Sequence, residues 1–176
     1  PTNICVHSCK CCDFSKKRGE STAYEMSIEE ILAKLSDEIQ EVHITGGLHP
    51  DWDWEYYLEM IRRIRASFPS IGIKAFTAVE IDYFHRKFQL SVEDVLKQLK
   101  EAGLQTLPGG GAEVFSERIR KELFPQKINA ERWLDIHRTA HKLGIPTNAT
   151  LLYGHIETAE ERLSHLMKLR ELQDET

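Results

Sequence analysis

The chain has 176 residues, of which 41% are hydrophobic and 29% are charged, and its formal net charge is −5. This composition is typical of one globular domain, and the acidic balance and lack of a long apolar run exclude nucleic acid and a membrane as expected partners. All four cysteines lie within residues 5–12, so no long-range disulfide framework is expected. Such crowding predicts a metal site in a reducing compartment, the cytoplasm.

The first half of the chain alternates short apolar runs with amphipathic helical patterns. A capping box that begins at Ser27 predicts a helix whose apolar positions continue to residue 39. A strand is predicted over residues 42–45, and Asp51 or Asp53 is expected to cap a helix that Pro69 closes. A second strand over residues 71–77 precedes a helix over residues 79–88.

The second half continues the same alternation. Ser91 opens a helix for which Gly103 is the expected C-terminal cap, and residues 104–107 form a third, short predicted strand. Asn129 caps a predicted helix that extends to residue 143, and a fourth strand is predicted over residues 145–152. Thr158 begins a capping box for a last helix that extends to residue 172.

This alternation predicts an α/β fold with a parallel sheet. Four strand–helix units that follow a metal-binding loop predict a TIM-type (β/α) barrel, here a partial one. In such barrels the functional groups lie just beyond the C-terminal ends of the strands. The chemistry is therefore expected in four segments, residues 46–50, 77–80, 108–113 and 153–157.

The cysteine loop is the strongest chemical signal. Cys5, Cys9 and Cys12 form a C-x3-C-x2-C motif, and three thiolates on one short loop can hold three irons of a [4Fe–4S] cluster while the fourth iron stays open to a ligand. The alternative is a zinc site or a non-catalytic zinc- or iron-binding module, although zinc usually takes ligands from two separated blocks. Adjacent side chains tend to point apart, so Cys11 is expected to be a spectator thiol.

The segments after the first two strands carry candidate ligand contacts. Gly46 and Gly47 can expose backbone groups and allow a ligand to approach closely. His49 is a candidate substrate contact or proton carrier, or else a structural histidine. Thr77 and Glu80 are candidates for binding hydroxyl groups, whereas the structural alternative for Glu80 is a favourable charge at a helix N-terminus.

The segments after the last two strands add further candidates. The run Pro-Gly-Gly-Gly-Ala-Glu includes Gly110, Gly111 and Glu113. Because neither a G-K-[ST] nor a G-x-G-x-x-G continuation accompanies it, close approach to a cofactor or substrate is favoured over a phosphate cradle. Asn148 and His155 flank the fourth predicted strand end, and a buried, hydrogen-bonded histidine is the alternative for His155.

Together these motifs resemble the radical S-adenosylmethionine (SAM) superfamily, in which SAM chelates the open iron. Residues 150–157 resemble its G-x-I-x-G-x-x-E pattern, in which Gly154 and Glu157 match, Leu152 takes the place of the Ile, and Thr150 replaces the first Gly. The superfamily usually has an aromatic residue immediately before the third cysteine, and here that position is Cys11.

Within the superfamily, residues 2–5 and the Gly-Gly-Leu-His-Pro turn are similar to the futalosine-pathway and deazaflavin (FO) branch. Residues 73–80 and 146–150 most resemble the aminodeoxyfutalosine synthases of menaquinone biosynthesis. The resemblance implies that SAM is cleaved and that its 5′-deoxyadenosyl radical adds to 3-[(1-carboxyvinyl)oxy]benzoate. It also implies a small-molecule substrate and an external one-electron reductant of the flavodoxin or ferredoxin type.

Alternatives remain at this point. They are a cyclic dehypoxanthine futalosine synthase, an FO synthase-like enzyme, and a metal-dependent barrel hydrolase. The chain does not begin with Met, and residues 1–176 are expected to be one radical SAM core domain within a longer protein, with the first strand and the C-terminal part missing.

The resemblance also distributes roles, although it assigns no catalytic residue. The cluster ligands are Cys5, Cys9 and Cys12; the SAM contacts are Gly46, Gly47, Thr77, Glu80, Leu152 and Gly154; the substrate contacts are His49, Gly110, Gly111, Glu113, Asn148 and His155.

Overall fold

The computed structural model of the chain describes residues 1–10 and 12–176. The described residues form two strands and seven helices. In chain order these are α1 (Ile28–Leu32), β1 (Glu41–Ile44), α2 (Trp54–Ser67), β2 (Gly72–Ala75), α3 (Ala78–Phe88), α4 (Val92–Ala102), α5 (Glu117–Leu123), α6 (Ala130–Lys142) and α7 (Ala159–Glu175).

The two strands pair in parallel, in a register that runs from Glu41 opposite Gly72 to Ile44 opposite Ala75. The predicted α/β class with parallel strands is therefore confirmed. The third and fourth predicted strands were too long, because the described chain forms only single parallel bridges there, between residues 74 and 106 and between residues 107 and 147. Pro146 and Pro108 lack the N–H that a longer ladder needs.

The helix starts agree closely with the sequence pattern. At each predicted start a side-chain oxygen accepts the N–H three residues later, which satisfies a donor that the first helical turn leaves unpaired. Ser27, Thr77 and Thr158 belong to complete capping boxes. The cap at Thr77 was not predicted, whereas those at Ser27 and Thr158 were. The remaining predicted caps that form are Asp53, Ser91 and Asn129.

Two helical predictions were wrong or incomplete. The first helix ends at Leu32 rather than at residue 39, because the N–H of Leu35 bonds to the carbonyl of Leu32 in a tighter turn. The following residues, Ser36 and Asp37, favour turns over helix. Helix α5, which Ser116 caps, was not predicted, since its seven residues span too few turns for a periodic signal.

The core lies between the strands and helices α2, α3, α4 and α6. Apolar side chains of these elements are almost completely buried, and Tyr57 and Phe84 pack with ring centroids 4.4 Å apart. This packing holds the strands so that their C-terminal ends open on one side of the molecule. The most buried core residues include Met60, Ile61, Ile64, Ile73, Ile81, Val95, Leu96, Leu99 and Ile136.

A three-residue ion cluster joins α3 to α6. The carboxylate of Asp82, whose side chain is 8% exposed, lies 2.8 Å from Nε of Arg86 and 2.7 Å from Nε of Arg132. Asp82→Asn is expected to lower the free energy of unfolding by about 2 kcal/mol, because the buried carboxylate is the shared partner of the exposed Arg86 and the partly buried Arg132. Urea denaturation measures this. Glu93→Gln, which breaks the exposed pair with Lys97, is the control and should leave stability unchanged; equal losses would contradict the prediction.

Candidate functional site

One cavity of about 260 Å³ lies beyond the C-terminal ends of the strands. It is formed where the cysteine loop, the segment after β1, the start of α3 and the glycine-rich segment meet. The structure thus brings together residues from three of the four predicted segments and from the cysteine loop. The predicted site residues that line the cavity are Cys5, Cys9, Cys12, Gly46, Thr77, Glu80, Gly110, Gly111 and Glu113.

The cysteine loop is held at both ends by backbone hydrogen bonds. The N–H of Cys5 donates to the carbonyl of Lys16 at 3.0 Å, and the N–H of Cys12 closes a turn on the carbonyl of Cys9 at 3.1 Å. The ammonium of Lys17 also donates to the carbonyl of Cys5, at 2.7 Å. The backbone of the loop is therefore tied down while its three thiol side chains reach the cavity.

The donor set of this loop suits an iron–sulfur cluster, which takes thiolates as ligands. Cys5, Cys9 and Cys12 are all partly accessible and border the same cavity. Among the described residues 1–10 and 12–176, those of the cysteine loop included, no three His, Cys, Asp or Glu side chains converge on the position of a single metal ion. The spectator role of Cys11 stays a prediction, since that residue lies outside the described residues.

The two glycines after β1 have different surroundings. A Cβ atom at Gly47 would overlap the carbonyl oxygen of Ile4, and the Gly47 N–H donates to the carbonyl of Thr2 at 2.8 Å. Gly47 therefore serves the close packing of residues 2–4 and does not line the cavity. Gly46 does line it, and its N–H donates to the carboxylate of Glu80 at 3.2 Å.

Glu80 combines a structural bond with a position in the cavity wall. Its carboxylate accepts hydrogen bonds from the N–H and the hydroxyl of Thr77, at 2.7 and 2.9 Å, in the capping box of α3. Burial raises the pKa of this carboxyl to about 7, although the donors from Thr77 and Gly46 oppose the shift. Glu80 is therefore both a helix cap and a buried acid facing the cavity.

The raised pKa of Glu80 predicts a pH-dependent stability. Between its ordinary value of 4.5 and about 7, the folded protein binds the proton more tightly than the unfolded chain does. The contribution of the protonated Glu80 carboxyl to the free energy of unfolding is therefore fully present below pH 4.5. It is lost as the pH rises through about 7, and the loss is about 3 kcal/mol in total. Relative to wild type, Glu80→Gln should gain stability from pH 5 to pH 8 in urea denaturation. A difference that is constant with pH would contradict this assignment.

The glycine-rich segment packs closely against the chain itself. A Cβ at Gly109 would lie 2.6 Å from Cα of Ala149, one at Gly110 would lie 2.8 Å from Cγ2 of Thr77, and one at Gly111 would overlap Val79. Gly111 also has a φ of +84°, which side chains disfavour. The requirement for glycine thus comes at least in part from these internal contacts, while Gly110 and Gly111 also border the cavity.

Side chains from several elements bind the carbonyl groups of this segment. Thr150 donates its hydroxyl to Gly109 at 2.7 Å, and Trp133 donates its indole N–H to Gly110 at 3.2 Å. Arg120 donates to the carbonyl of Gly111 at 3.1 Å and to that of Ala112 at 2.7 Å. The segment therefore has a defined path although it contains neither helix nor strand.

Lys127 is a cavity residue that the sequence pattern did not reveal. Its ammonium lies 2.5 Å from the carboxylate of Glu113, and the two side chains are 18% and 14% exposed. Both border the cavity, where Lys127 is the one lysine or arginine among the described lining residues. Lys127 lies in the connection between α5 and α6, where no motif marks it.

The remaining predicted contacts, besides Gly47, lie outside the cavity. His49 is completely buried; its Nε2 pairs with Glu25, its Nδ1 accepts the N–H of Trp52 at 3.1 Å, and burial lowers its pKa. Asn148 is exposed, and its N–H bonds to Leu107. Their proposed ligand contacts stay predictions.

The segment over residues 152–157 forms a turn around Glu157. The N–H groups of Gly154 and His155 donate to its carboxylate at 2.7 and 2.9 Å, which lowers the pKa of Glu157 to about 2. Leu152 is 39% exposed, and its N–H donates to the carbonyl of Glu113 at 3.0 Å. Through that bond the segment adjoins the cavity without lining it.

Two histidines on α6 have an H-x3-H spacing that is also typical of zinc ligands. His137 stacks on Trp133, with centroids 3.5 Å apart, and its ring lies nearly perpendicular to that of His141, 6.5 Å away. Burial lowers the pKa of His137 to about 3. These histidines therefore pack in the helix layer, and neither borders the cavity of the cysteine loop.

Comparison with known proteins identifies the family. The sequence profile of the Radical SAM superfamily matches residues 1–169, so the chain belongs to the radical SAM superfamily. Members of this superfamily use a [4Fe–4S] cluster and SAM. None of the described helices is long and apolar enough to cross a membrane.

Individual relatives extend over nearly the whole chain. It is 50% identical to the aminodeoxyfutalosine synthase of Thermus thermophilus and 45% identical to that of Streptomyces coelicolor, over 99% of this chain and 48% and 46% of the relatives. It is also 42% identical to a 5-amino-6-(D-ribitylamino)uracil–L-tyrosine 4-hydroxyphenyl transferase of Methanosarcina mazei, over 99% of this chain and 46% of that protein. The chain thus spans about half the length of these relatives.

Proposed function

We propose that residues 1–176 are the radical SAM core of a transferase of the aminodeoxyfutalosine synthase type, acting in menaquinone biosynthesis. The observation that carries the proposal is the single cavity shared by three cysteine side chains, Gly46, Glu80 and the glycine-rich segment. The 50% identity to the Thermus thermophilus synthase supports the choice within the superfamily. The reaction would add the 5′-deoxyadenosyl radical to 3-[(1-carboxyvinyl)oxy]benzoate.

In this proposal the fold is a TIM-type barrel, of which the described residues form part. Its support is the succession of parallel contacts, in which β1 pairs with β2, and residues 106 and 147 continue the order through single bridges. Helices follow the two paired strands, as expected for β/α units. The domain would lie within a longer polypeptide.

The cysteines would hold the cluster, with one iron left for SAM. When bound, the cluster supplies the electron that splits SAM into methionine and the 5′-deoxyadenosyl radical, and an external one-electron reductant replaces that electron. The other residues of the cavity would bind and orient SAM and the substrate, and would exclude water from them. Glu80 fixes the Gly46 amide at the cavity wall by the hydrogen bond between them.

Lys127 is the group in the cavity wall that can attract ligands that carry carboxylates. SAM has one carboxylate, and 3-[(1-carboxyvinyl)oxy]benzoate has two. The wall also carries the carboxylates of Glu80 and Glu113, which would repel such ligands. Lys127 supplies the one positively charged side chain among the described lysines and arginines of the wall, and Glu113 holds that ammonium in place.

The test is a product assay with the full-length protein, reconstituted anaerobically with iron and sulfide and then reduced. With SAM and 3-[(1-carboxyvinyl)oxy]benzoate, mass spectrometry should detect a product that contains the adenine of SAM. Wild-type protein without reductant is the control. A parallel incubation replaces the benzoate by dehypoxanthine futalosine. If SAM then gives free 5′-deoxyadenosine, by abstraction of a hydrogen atom from this substrate, and the benzoate gives no adduct, the cyclase is favoured instead.

A second candidate is an FO synthase-like reaction, because one relative at 42% identity bears the ribitylaminouracil–tyrosine transferase name. The same reconstituted protein should therefore be incubated with SAM, tyrosine and 5-amino-6-(D-ribitylamino)uracil. A coupled product in this reaction, and none with the benzoate, would replace the first proposal by the second.

A further inference from the structure

Arg120 on α5 is a buried cation to which the proposed function gives no part. The residue is only 5% exposed, and a guanidinium in such a place is costly unless its N–H groups are all bonded. Its donors bind backbone carbonyls: Nη1 donates to Ala112 at 2.7 Å, Nη2 donates to Gly111 at 3.1 Å, and Nε donates to Ile128 at 3.0 Å.

These carbonyls belong to two separate segments that each contribute one charge to the cavity. The first segment contains Glu113, and Ile128 of the second directly follows Lys127. Glu113 has a φ of 50°, a left-handed conformation that is unfavourable for a residue with a side chain. The surrounding structure must therefore hold it, and Arg120 binds the carbonyls on both sides of it, including that of Val114 at 3.4 Å.

We propose that Arg120 is a positioning residue that sets the placement of the Glu113–Lys127 ion pair in the cavity. It does so because its rigid, planar guanidinium group donates hydrogen bonds to the backbone of both segments. Lysine cannot replace it, because one ammonium at the end of a flexible chain does not reproduce the fixed fork of donors. The inference rests on the proposed function, and it adds that the ligand beside this ion pair is SAM, although the sequence pattern assigned Glu113 to the substrate.

Arg65 offers a matched control within the same chain. Its guanidinium also bridges backbone carbonyls of different segments, donating to Pro69 at 2.8 Å, to Ile71 at 2.9 Å and to Gly103 at 3.3 Å. These carbonyls lie before β2 and after α4, at the end of the strands opposite to the cavity. Arg65→Lys should therefore cost stability without moving the cavity charges.

The experiment is a SAM titration of the full-length, cluster-reconstituted and reduced protein, followed by electron paramagnetic resonance. Arg120→Lys is expected to raise the Kd for SAM about tenfold, whereas Arg65→Lys changes it less than about twofold. In a Lys127→Met background, Arg120→Lys should add no further loss, because it acts through that lysine. Thermal denaturation of each variant separates general destabilisation from the change in Kd.

The inference is overturned if Arg120→Lys and Arg65→Lys have the same effect on the Kd, or if the loss persists undiminished in the Lys127→Met background. If Arg120→Lys does not give soluble protein, Arg120→Gln takes its place, since its NH2 group can still donate hydrogen bonds to carbonyls, with the same expected order. A wild-type signal that does not respond to SAM would instead remove the proposed function, and the inference with it.

Discussion

Replacing Cys5, Cys9 or Cys12 by alanine in the full-length protein is expected to abolish SAM cleavage. Each change removes one of three thiolates that border the cavity, and a cluster that already has an open iron cannot lose another protein ligand and stay anchored. Iron and sulfide content after anaerobic reconstitution should fall together with the amount of methionine released from SAM. Both quantities are measured on the same samples.

Cys11→Ala is the matched control for these variants, because it removes a neighbouring thiol of the same loop. It is expected to keep the iron content, the SAM-dependent spectrum and the cleavage rate of the wild type. If Cys11→Ala lost the cluster while Cys12→Ala kept it, the ligand assignment would have to move by one position. Cluster retention in all three single variants would refute the cluster site itself.

Gly47→Ala is expected to lower the free energy of unfolding by about 3 kcal/mol or more. The added methyl group would overlap the carbonyl oxygen of Ile4. A Cβ atom has a fixed position relative to its own backbone and the carbonyl is itself backbone, so neither can rotate away. Because Ile4 directly precedes Cys5, relief of the overlap must also shift the cysteine loop. Urea denaturation measures the stability, and iron content measures the shift of the loop.

Gly72→Ala is the control for that change. Its Cβ would lie 3.3 Å from the carbonyl oxygen of Gln40, which is tight but not an overlap, and a cost below about 1 kcal/mol is expected. Equal losses of stability for the two variants would show that any side chain at either position is unfavourable. The close approach of residues 2–4 to Gly47 would then not be the cause.

Local chemistry explains which elements were predictable. The capping residues Ser27, Thr77 and Thr158 each stand three positions before a glutamate, and the bonds that they form depend on that spacing alone. The convergence of Gly46 with Glu80 was also predictable, because the ends of parallel strands meet on one side. The roles of these two residues stay predictions until the cluster is tested.

Non-local contacts explain what the sequence did not reveal. The run over residues 117–123 is highly charged and resembles a solvated helix face, yet its Arg120 is buried among carbonyls of the segments before and after α5. Lys127 stands in a connection without any motif, and only the fold places it beside Glu113. The last two predicted strands are only single bridges in the structure, because the length of an apolar run does not specify how many hydrogen bonds the run forms.

The hydrogen bonds that hold the carbonyl groups of the glycine-rich segment determine what that segment can recognise. No described peptide bond is cis, and in a trans peptide the C=O and the following N–H point in opposite directions. Because the carbonyls of Gly110, Gly111 and Ala112 face Trp133 and Arg120, the amide hydrogens that follow them face the other way. A molecule that reaches these amide hydrogens meets hydrogen-bond donors, which favour electron-rich atoms such as carboxylate oxygens.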